Sequence, residues 1–178
     1  NRAHTHYAFY MGASADNVDH LGELEKLPHC SGVKVFMGSS TGTLLVEDDS
    51  VLERILKNTQ KRVIVHCEDE YRLRERKSLL QENPHVGLHP FWRDPVTSFN
   101  AVKRLVSLAE KHHRLVHVLH VTCQEEVEYL AQHKKTASVE VLPQHLTLHA
   151  PDCYEKWGAK AQQNPPIREQ KHQEALWR

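Results

Sequence analysis

Five short apolar or β-branched segments recur along the chain with helical periodicity between them, and this alternation limits the fold more than any other feature. The segments predict β-strands over residues 6–11, 32–37, 62–66, 115–121 and 137–142. Strands that alternate with helices in this way form a parallel sheet with the helices outside, so the sequence predicts an α/β fold. Two architectures fit the pattern, a doubly wound open sheet and a closed (β/α)8 barrel.

Signals for helix starts lie between the predicted strands. Asn17 is a candidate N-cap, and capping boxes stand at residues 50–53 and 122–125. A further helix is predicted from about Phe99 to Lys111, and the proline-containing stretch 81–95 predicts a long loop over one end of the sheet. No internal repeat or linker divides the sequence, so a single domain is expected.

Charge and composition narrow the classes of function. The chain has 178 residues, with 23 basic and 23 acidic residues and a formal net charge of zero, which gives none of the positive field that binds nucleic acid or anionic membranes. No apolar run reaches the roughly 18 to 20 residues that span a bilayer. The four cysteines are dispersed without a C-x-x-C pair and predict reduced thiols. We therefore expect a cytoplasmic protein that binds neither nucleic acid nor membrane.

The ends of the chain and its histidines add two expectations. The sequence starts without Met and stops inside a predicted helix, so we expect a piece of a longer polypeptide. Histidine is the compositional outlier, with 15 residues, and this abundance suggests a metal site.

Polar side chains stand at or near the carboxyl ends of several predicted strands, where the active sites of parallel α/β folds lie. Lys34 interrupts the apolar strand GVKVFMG, His66 and His120 end two others, and Glu140 stands near the end of a fourth. A lysine carboxylated by CO2 becomes a carbamate that can bridge two cations, and imidazoles can complete both metal sites. Lys34, His66 and His120 are therefore candidate metal ligands.

A simpler interpretation of the same residues stays open. Strand-end histidines are often ordinary polar residues with hydrogen-bond partners, and Lys34 can form an ion pair with Glu68 or Asp69. In that case the chain is a histidine-rich α/β domain without a metal.

Five ordered motifs carry a resemblance to a known family. The motifs are GVKVFMGSSTG, VIVHCEDE, VHVLHVT, EVLPQHLTL and NPPIR. In this order they resemble the dihydroorotase, allantoinase and dihydropyrimidinase branch of the amidohydrolase superfamily, and the resemblance covers essentially the whole chain. It implies a (β/α)8 TIM-type barrel that is incomplete here, with residues 1–178 forming a partial barrel domain of roughly strands 3 to 7.

The resemblance assigns roles to the candidate ligands. Lys34 matches the family's carboxylated lysine that bridges two zinc ions, and His66 and His120 match the two histidines that hold the second ion. His117 lies three residues before His120, and the two-residue period of a strand predicts that their side chains point to opposite faces. A structural or outer role is therefore predicted for His117.

The motif NPPIR, residues 164–168, distinguishes members of the branch. Dihydroorotases resemble it in having Asn at the first position, where hydantoin-type and allantoin-type relatives usually have Ser, and this Asn contacts substrate in the family. Asn164 is therefore the candidate substrate-binding residue, although Asn before proline is also a common turn residue. The sequence around Lys34 is closer to the hydantoinase side. His145 matches a family histidine with a supporting or loop role.

Two family motifs have no match in the chain. These are the His-x-His after the first strand and the Asp after the last strand, which is the general acid/base. His4-Thr5-His6 precedes the wrong strand and is not the metal motif. The resemblance therefore implies that this chain holds one half of a binuclear centre, with no catalytic residue of its own and no activity when isolated.

The activity implied by the resemblance is that of a zinc-dependent cyclic amide hydrolase. Asn164 favours a dihydroorotase, which interconverts N-carbamoyl-L-aspartate and dihydroorotate in pyrimidine synthesis. Two alternatives stay open: a catalytically silent dihydroorotase-like scaffold for another enzyme of the pathway, and a hydrolase of hydantoins or allantoin. The expected partners are a small-molecule substrate, further copies of the same chain and, for the scaffold, other pyrimidine-pathway enzymes.

Overall fold

The computed structural model describes residues 3–40, 42–82 and 84–178 and places five parallel strands in one sheet. The strands are β1 (Phe9–Gly12), β2 (Cys30–Phe36), β3 (Val63–His66), β4 (Val116–Val118) and β5 (Ala137–Val139). The α-helices are α1 (Leu21–Leu24), α2 (Asp49–Asn58), α3 (Glu70–Glu75), α4 (Leu79–Glu82), α5 (His89–Trp92), α6 (Pro95–Lys111), α7 (Gln124–Gln132), α8 (Pro143–Thr147), α9 (Asp152–Trp157) and α10 (Gln170–Trp177). All five predicted strands are present, and all except β2 are shorter than predicted. Thr41, in the first motif, and Asn83, in the predicted loop, lie outside the described residues.

The strand order decides between the two predicted architectures. The order is β1-β2-β3-β4-β5, and every neighbouring pair is parallel. A doubly wound sheet reverses its order at a switch point, whereas a barrel adds strands in sequence order with its helices outside. The described part of the chain is therefore an incomplete α/β barrel, in which β1 and β5 each have one unpaired edge.

One face of the sheet packs against the helices. Successive strand side chains alternate between faces, so every second residue of a strand reaches this core. The alternating apolar residues are buried here against α2 and α6: Val33, Val35, Val63, Val65, Val116 and Val118 from the sheet, and Ile55, Leu56, Leu105 and Val106 from the two helices. The intervening strand residues therefore face the other side, which is the interior side of a barrel.

A row that includes polar side chains crosses this interior face. In register across the sheet, Lys34 lies beside Ile64, Ile64 beside His117, and His117 beside Ser138. His66, two residues after Ile64 on β3, shares the same face nearer the carboxyl end of the strand. The sheet thus places the predicted lysine and one predicted histidine on the same interior surface.

Asn17 occupies the predicted N-cap position, before Val18, but its side chain does not form the capping hydrogen bond. Its Oδ1 accepts a hydrogen bond from the backbone N–H of Ser14 over 2.9 Å, and its Nδ2 donates to the Gly12 carbonyl over 2.8 Å. Both contacts point back along the chain, so Asn17 closes the turn after β1. A short 3-10 helix, Val18–His20, leads from it into α1.

The two predicted capping boxes also lie at the wrong residues. The N-cap of α2 is Asp48, whose carboxylate accepts from the N–H groups of Ser50 and Val51, because a carboxylate on the residue before the first turn reaches those donors directly. The N-cap of α7 is Cys123, with Glu126 completing the box. In both cases the helix is present and its start is shifted.

The stretch 81–95 is more ordered than the predicted loop, since α4 ends in it and α5 lies within it. α6 begins at Pro95, before the predicted Phe99, because the Asp94 carboxylate accepts a hydrogen bond from the Thr97 N–H over 3.0 Å and proline suits a first helical position. The Trp92 indole N–H donates to the Leu73 carbonyl over 2.8 Å and fixes the stretch on α3.

Two further sequence predictions bear on the fold. Within the described ranges, no helix combines the length and the apolar character of a membrane span. The four cysteines are unpaired, as expected for reduced thiols, and three of them are buried.

Candidate metal centre

Two of the predicted ligands, His66 and His120, are in direct contact. His66 is the last residue of β3, and His120 follows the end of β4. His66 Nδ1 lies 3.0 Å from His120 Nε2, and the rings meet edge to face with centroids 4.7 Å apart. Two chain segments that are distant in sequence thus bring one nitrogen each to the same point at the carboxyl end of the sheet.

The predicted placement of His117 and His120 on opposite faces is wrong. β4 ends at Val118, and His120 has a positive φ of 41°, so the two-residue alternation of the strand does not continue to it. His117 faces the interior side, where its Nδ1 lies 2.9 Å from the Ser138 hydroxyl. Both histidines therefore lie on the interior side of the sheet, because the turn after β4 changes the direction of the chain before His120.

Behind His66 lies a buried carboxylate. His66 Nε2 is 2.8 Å from Glu68 Oε2, and the same oxygen accepts a hydrogen bond from Arg93 Nη1. Glu68 is fully buried, which alone would raise its pKa, but the hydrogen bond from His66 and the charge of Arg93 hold that pKa at about 2. Glu68 is thus a buried anion that can accept a hydrogen bond from His66 Nε2.

Lys34 stands on the same face without a counter-ion. Its ammonium lies 4.4 Å from the centroid of the Phe36 ring, and it forms no hydrogen bond or ion pair with the described residues. Burial lowers the pKa of Lys34 to about 8. The alternative ion pairs are not formed, because Glu68 pairs with Arg93 and Asp69 caps α3.

The lowered pKa has a chemical consequence for this lysine. A carbamate forms only from the uncharged amine, and a pKa of about 8 leaves an appreciable fraction of Lys34 uncharged near neutral pH. The electrostatics of the site therefore permit carboxylation of Lys34.

His120 is held in its neutral form. Burial lowers its pKa to about 3, and the neighbouring His66 and Lys34 act in the same direction. Its Nδ1 is buried and has no hydrogen-bond partner among the described residues. Neutral imidazole is the form that ligates metals.

The donor set fits a metal only with Lys34 included. In the described part of the chain, no group of three or more His, Cys, Asp or Glu side chains gathers closely enough to hold a metal ion. Two ligand nitrogens of a tetrahedral zinc ion lie about 3.3 Å apart, close to the 3.0 Å between His66 Nδ1 and His120 Nε2. The pair therefore supplies two nitrogen donors, and a carboxylated Lys34 is the third donor that this face offers.

Asn164, the predicted substrate contact, is exposed and precedes a cis peptide bond to Pro165. It neighbours His89, whose Nε2 lies 2.9 Å from the Gln163 carbonyl oxygen. No hydrogen bond joins Asn164 to the His66–His120 pair in the described structure. Substrate binding by Asn164 therefore stays a prediction.

Arg168, the last residue of the NPPIR motif, is buried and holds several segments together through its side-chain hydrogen bonds. Arg168 donates from Nε to the Thr122 hydroxyl over 2.9 Å, from Nη1 to the Arg93 carbonyl over 2.7 Å and from Nη2 to the Ser98 hydroxyl over 2.8 Å. It ties the NPPIR segment to the turn after β4 and to the residue that pairs with Glu68. The sequence contains no local signal for this role.

His145 packs beside the same segment. It is buried, its Nε2 lies 2.5 Å from Gln163 Nε2 and 3.4 Å from the Pro165 carbonyl, and burial lowers its pKa to about 4. These contacts fit the supporting role that the resemblance implies for His145.

Comparison with known proteins finds relatives described as dihydroorotase, D-hydantoinase and allantoinase, although no family model matches the chain. A D-hydantoinase of Geobacillus stearothermophilus is 33% identical over 185 aligned residues, covering 96% of this chain and 39% of the relative. A dihydroorotase of Methanosphaera stadtmanae is 29% identical over 143 residues, covering 76% of this chain and 32% of the relative. An allantoinase of Desulfitobacterium hafniense is 27% identical over 184 residues, covering 96% and 40%.

A solved structure agrees with the fold. The crystal structure of a D-hydantoinase from Bacillus sp. AR9 matches 99% of this chain and 41% of that chain, with a TM-score of 0.85 and 26% identity. The prediction of an incomplete (β/α)8 barrel is thereby confirmed. The chain spans between 32% and 41% of the lengths of the relatives named here.

Proposed function

This chain is a relative of the amidohydrolase family that includes dihydroorotases, hydantoinases and allantoinases, and on that premise we propose that the full-length protein hydrolyses a cyclic amide. The proposed substrate pair is dihydroorotate and N-carbamoyl-L-aspartate. The reason is Asn164, since dihydroorotases resemble this sequence in having Asn at the first position of the NPPIR motif. The proposal includes a dependence on zinc. The chain covers only part of its relatives, so the proposal concerns the full-length protein.

The contact between His66 and His120 is the observation that carries this proposal. His66 Nε2 lies 2.8 Å from the Glu68 carboxylate, and a proton on that nitrogen would leave a lone pair on Nδ1. That lone pair and Nε2 of the neutral His120 face each other across 3.0 Å. Two converging imidazole nitrogens, with a carboxylate behind one of them, form the arrangement that proteins use to hold zinc.

Lys34 in its carboxylated form, His66 and His120 would hold the metal, and bound zinc would supply an activated water near neutral pH and polarise the substrate carbonyl. Lys34 has the lowered pKa that its carboxylation requires. Asn164 would donate and accept hydrogen bonds at the polar edge of the substrate and so fix its orientation. The proton transfer to the leaving nitrogen would fall to an acid/base group that these residues do not include.

A second candidate substrate class has support from the comparisons. The D-hydantoinase of Geobacillus stearothermophilus is 33% identical to this chain, and the sequence around Lys34 is closer to hydantoinases. A hydrolase of hydantoins or allantoin is therefore the second candidate. It requires the same metal ligands and differs in the substrate contacts.

A substrate panel on the zinc-loaded, full-length protein tests the proposal. Dihydroorotate, hydantoin and allantoin are supplied separately, and ring opening is followed for each. We expect the highest kcat/KM with dihydroorotate. A preference for hydantoin or allantoin would select the second candidate, and no turnover of any of the three by zinc-loaded protein would favour the scaffold alternative.

A further inference from the structure

Glu68 is a buried charge whose described partners are both side chains. It is fully buried, and its Oε2 contacts His66 Nε2 and Arg93 Nη1. Burying a carboxylate is unfavourable unless it is paired and hydrogen-bonded. The sequence therefore retains a costly charge immediately behind a candidate ligand.

A second buried carboxylate in the same fold shows a different use. Glu126 accepts hydrogen bonds from the backbone N–H groups of Thr122 and Cys123 and so caps α7. Glu68 accepts no backbone N–H in the described structure. Stabilising a helix end explains Glu126, and it does not explain Glu68.

Arg93 is anchored from both sides. Its backbone N–H donates to the His89 carbonyl over 3.1 Å, and its own carbonyl accepts from Arg168 Nη1 over 2.7 Å. Its guanidinium also lies 4.5 Å from the centroid of the Trp92 ring. Since its backbone is held in place, the guanidinium offers Glu68 a fixed cation.

We infer that Glu68, held by Arg93, is a positioning residue that keeps the proton of His66 on Nε2 and directs the Nδ1 lone pair toward His120. A carboxylate only accepts hydrogen bonds, so the ring nitrogen beside it must carry the proton. Arg93 fixes the carboxylate, the carboxylate fixes the ring, and the free nitrogen then points at the candidate metal position. The inference rests on the proposed function for its purpose and on the Arg93–Glu68–His66 contacts for its geometry.

The first test needs no metal. Nitrogen-15 NMR of the metal-free, full-length protein reports which ring nitrogen of each histidine carries the proton, and the His66 signals are assigned by their loss in His66→Asn. We expect His66 to carry its proton on Nε2. A proton on Nδ1 would overturn the inference.

The second test measures zinc affinity by competition with a chromophoric chelator. Loss of a carboxylate behind a ligating histidine typically weakens metal binding by about 10–100-fold, so Glu68→Gln is expected to lose affinity in this range while keeping the fold. Glu53→Gln is the matched control, because Glu53 Oε1 lies 2.7 Å from His112 Nε2 in a carboxylate–histidine contact between α2 and the end of α6. The control is expected to leave zinc affinity unchanged.

Two results separate this inference from the proposed function. If Glu68→Gln binds zinc as tightly as the unmodified protein, the positioning role is wrong, whatever the substrate. If the unmodified protein opens none of the three rings but His66 carries its proton on Nε2 and Glu68→Gln loses zinc affinity, the proposed function fails and the positioning role stands. Should Glu68→Gln not fold, Arg93→Lys replaces it, since it keeps the charge and removes the planar fork.

Discussion

Arg168 Nη1 donates to the backbone carbonyl of Arg93 over 2.7 Å, so the end of the NPPIR motif is joined to the cation that holds Glu68. The motif that carries the candidate substrate contact and the strand end that carries the candidate ligand therefore share one buried polar network. A disturbance at Arg168 is expected to reach both.

Replacing Arg168 by Met should destabilise the fold strongly. The substitution leaves the Thr122 hydroxyl, the Ser98 hydroxyl and the Arg93 carbonyl without this donor in a buried site. We expect the free energy of unfolding to fall by about 3 kcal/mol or more, measured by urea denaturation. Arg54→Met, which removes an exposed ion pair with Asp19, is the control and should have little effect. Equal stability of the two variants would contradict the assignment.

Replacing Lys34 by Ala should abolish activity and the binding of two metal ions, because the bridging carbamate cannot form. Lys34→Arg keeps a positive charge that cannot be carboxylated, so we expect it to be equally inactive. Metal content by elemental analysis and ring-opening assays measure both effects. Partial recovery of Lys34→Ala with a small added carboxylic acid would support the bridging role. If Lys34→Ala turns over substrate as fast as the unmodified protein without such an acid, the bridging role of Lys34 is excluded.

Replacing Asn164 by Ser should shift substrate preference. The change shortens the side chain and removes its amide, so the kcat/KM for dihydroorotate should fall by about 10–100-fold relative to that for hydantoin or allantoin. Zinc affinity should stay the same, because Asn164 forms no hydrogen bond with the candidate ligands in the described structure. The exposed neighbour Gln162, changed to Ser, is the matched control. An unchanged ratio of substrates would assign Asn164 to the turn alone.

Acid should destabilise the protein partly through His145. Burial lowers its pKa from 6.5 to about 4, so between these values the unfolded state binds more protons than the folded state. The free energy of unfolding therefore falls as the pH drops from 6.5 toward 4, by about 3 kcal/mol for a shift of this size.

Substitution isolates this contribution. His145→Gln should flatten the dependence of the unfolding free energy on pH in that window. Gln163→Ala removes the polar neighbour of the ring while keeping the ring that titrates, and it should retain the slope. Identical slopes in His145→Gln and the unmodified protein would refute the assignment.

The strands follow directly from the sequence pattern for a physical reason, whereas their order in the sheet is established by the structure. Segments such as VIVH are buried on both faces of a parallel sheet, so they read as continuous apolar runs. Helix starts were less predictable, since Asp48 and Asp94 compete with nearby serines and threonines for the same N–H groups. Which of these side chains caps the helix depends on the backbone geometry at the helix start, and the sequence alone does not contain that geometry.

The candidate site likewise contains residues that the sequence could predict and residues that it could not. Lys34, His66 and His120 could be selected from strand-end positions, and the structure brings the two histidines together. Arg93 could not be selected, because it lies in an irregular stretch and meets Glu68 only through the tertiary fold. Glu68, two residues after His66, did carry a signal: an acidic residue beside a strand-end histidine. The metal, the substrate, the oligomeric state and the cellular location stay predictions.

The adjacency of β2, β3 and β4 has a consequence for how such a site changes over time. Lys34 and His66 belong to the neighbouring strands β2 and β3, and His120 follows the end of the next strand, β4. Backbone hydrogen bonding holds neighbouring strands about 4.8 Å apart, so the sheet sets the spacing of Lys34 and His66, and the turn after β4 adds His120. The segments that connect the strands can change without moving these strands, so substrate contacts can differ while the proposed metal ligands keep their positions.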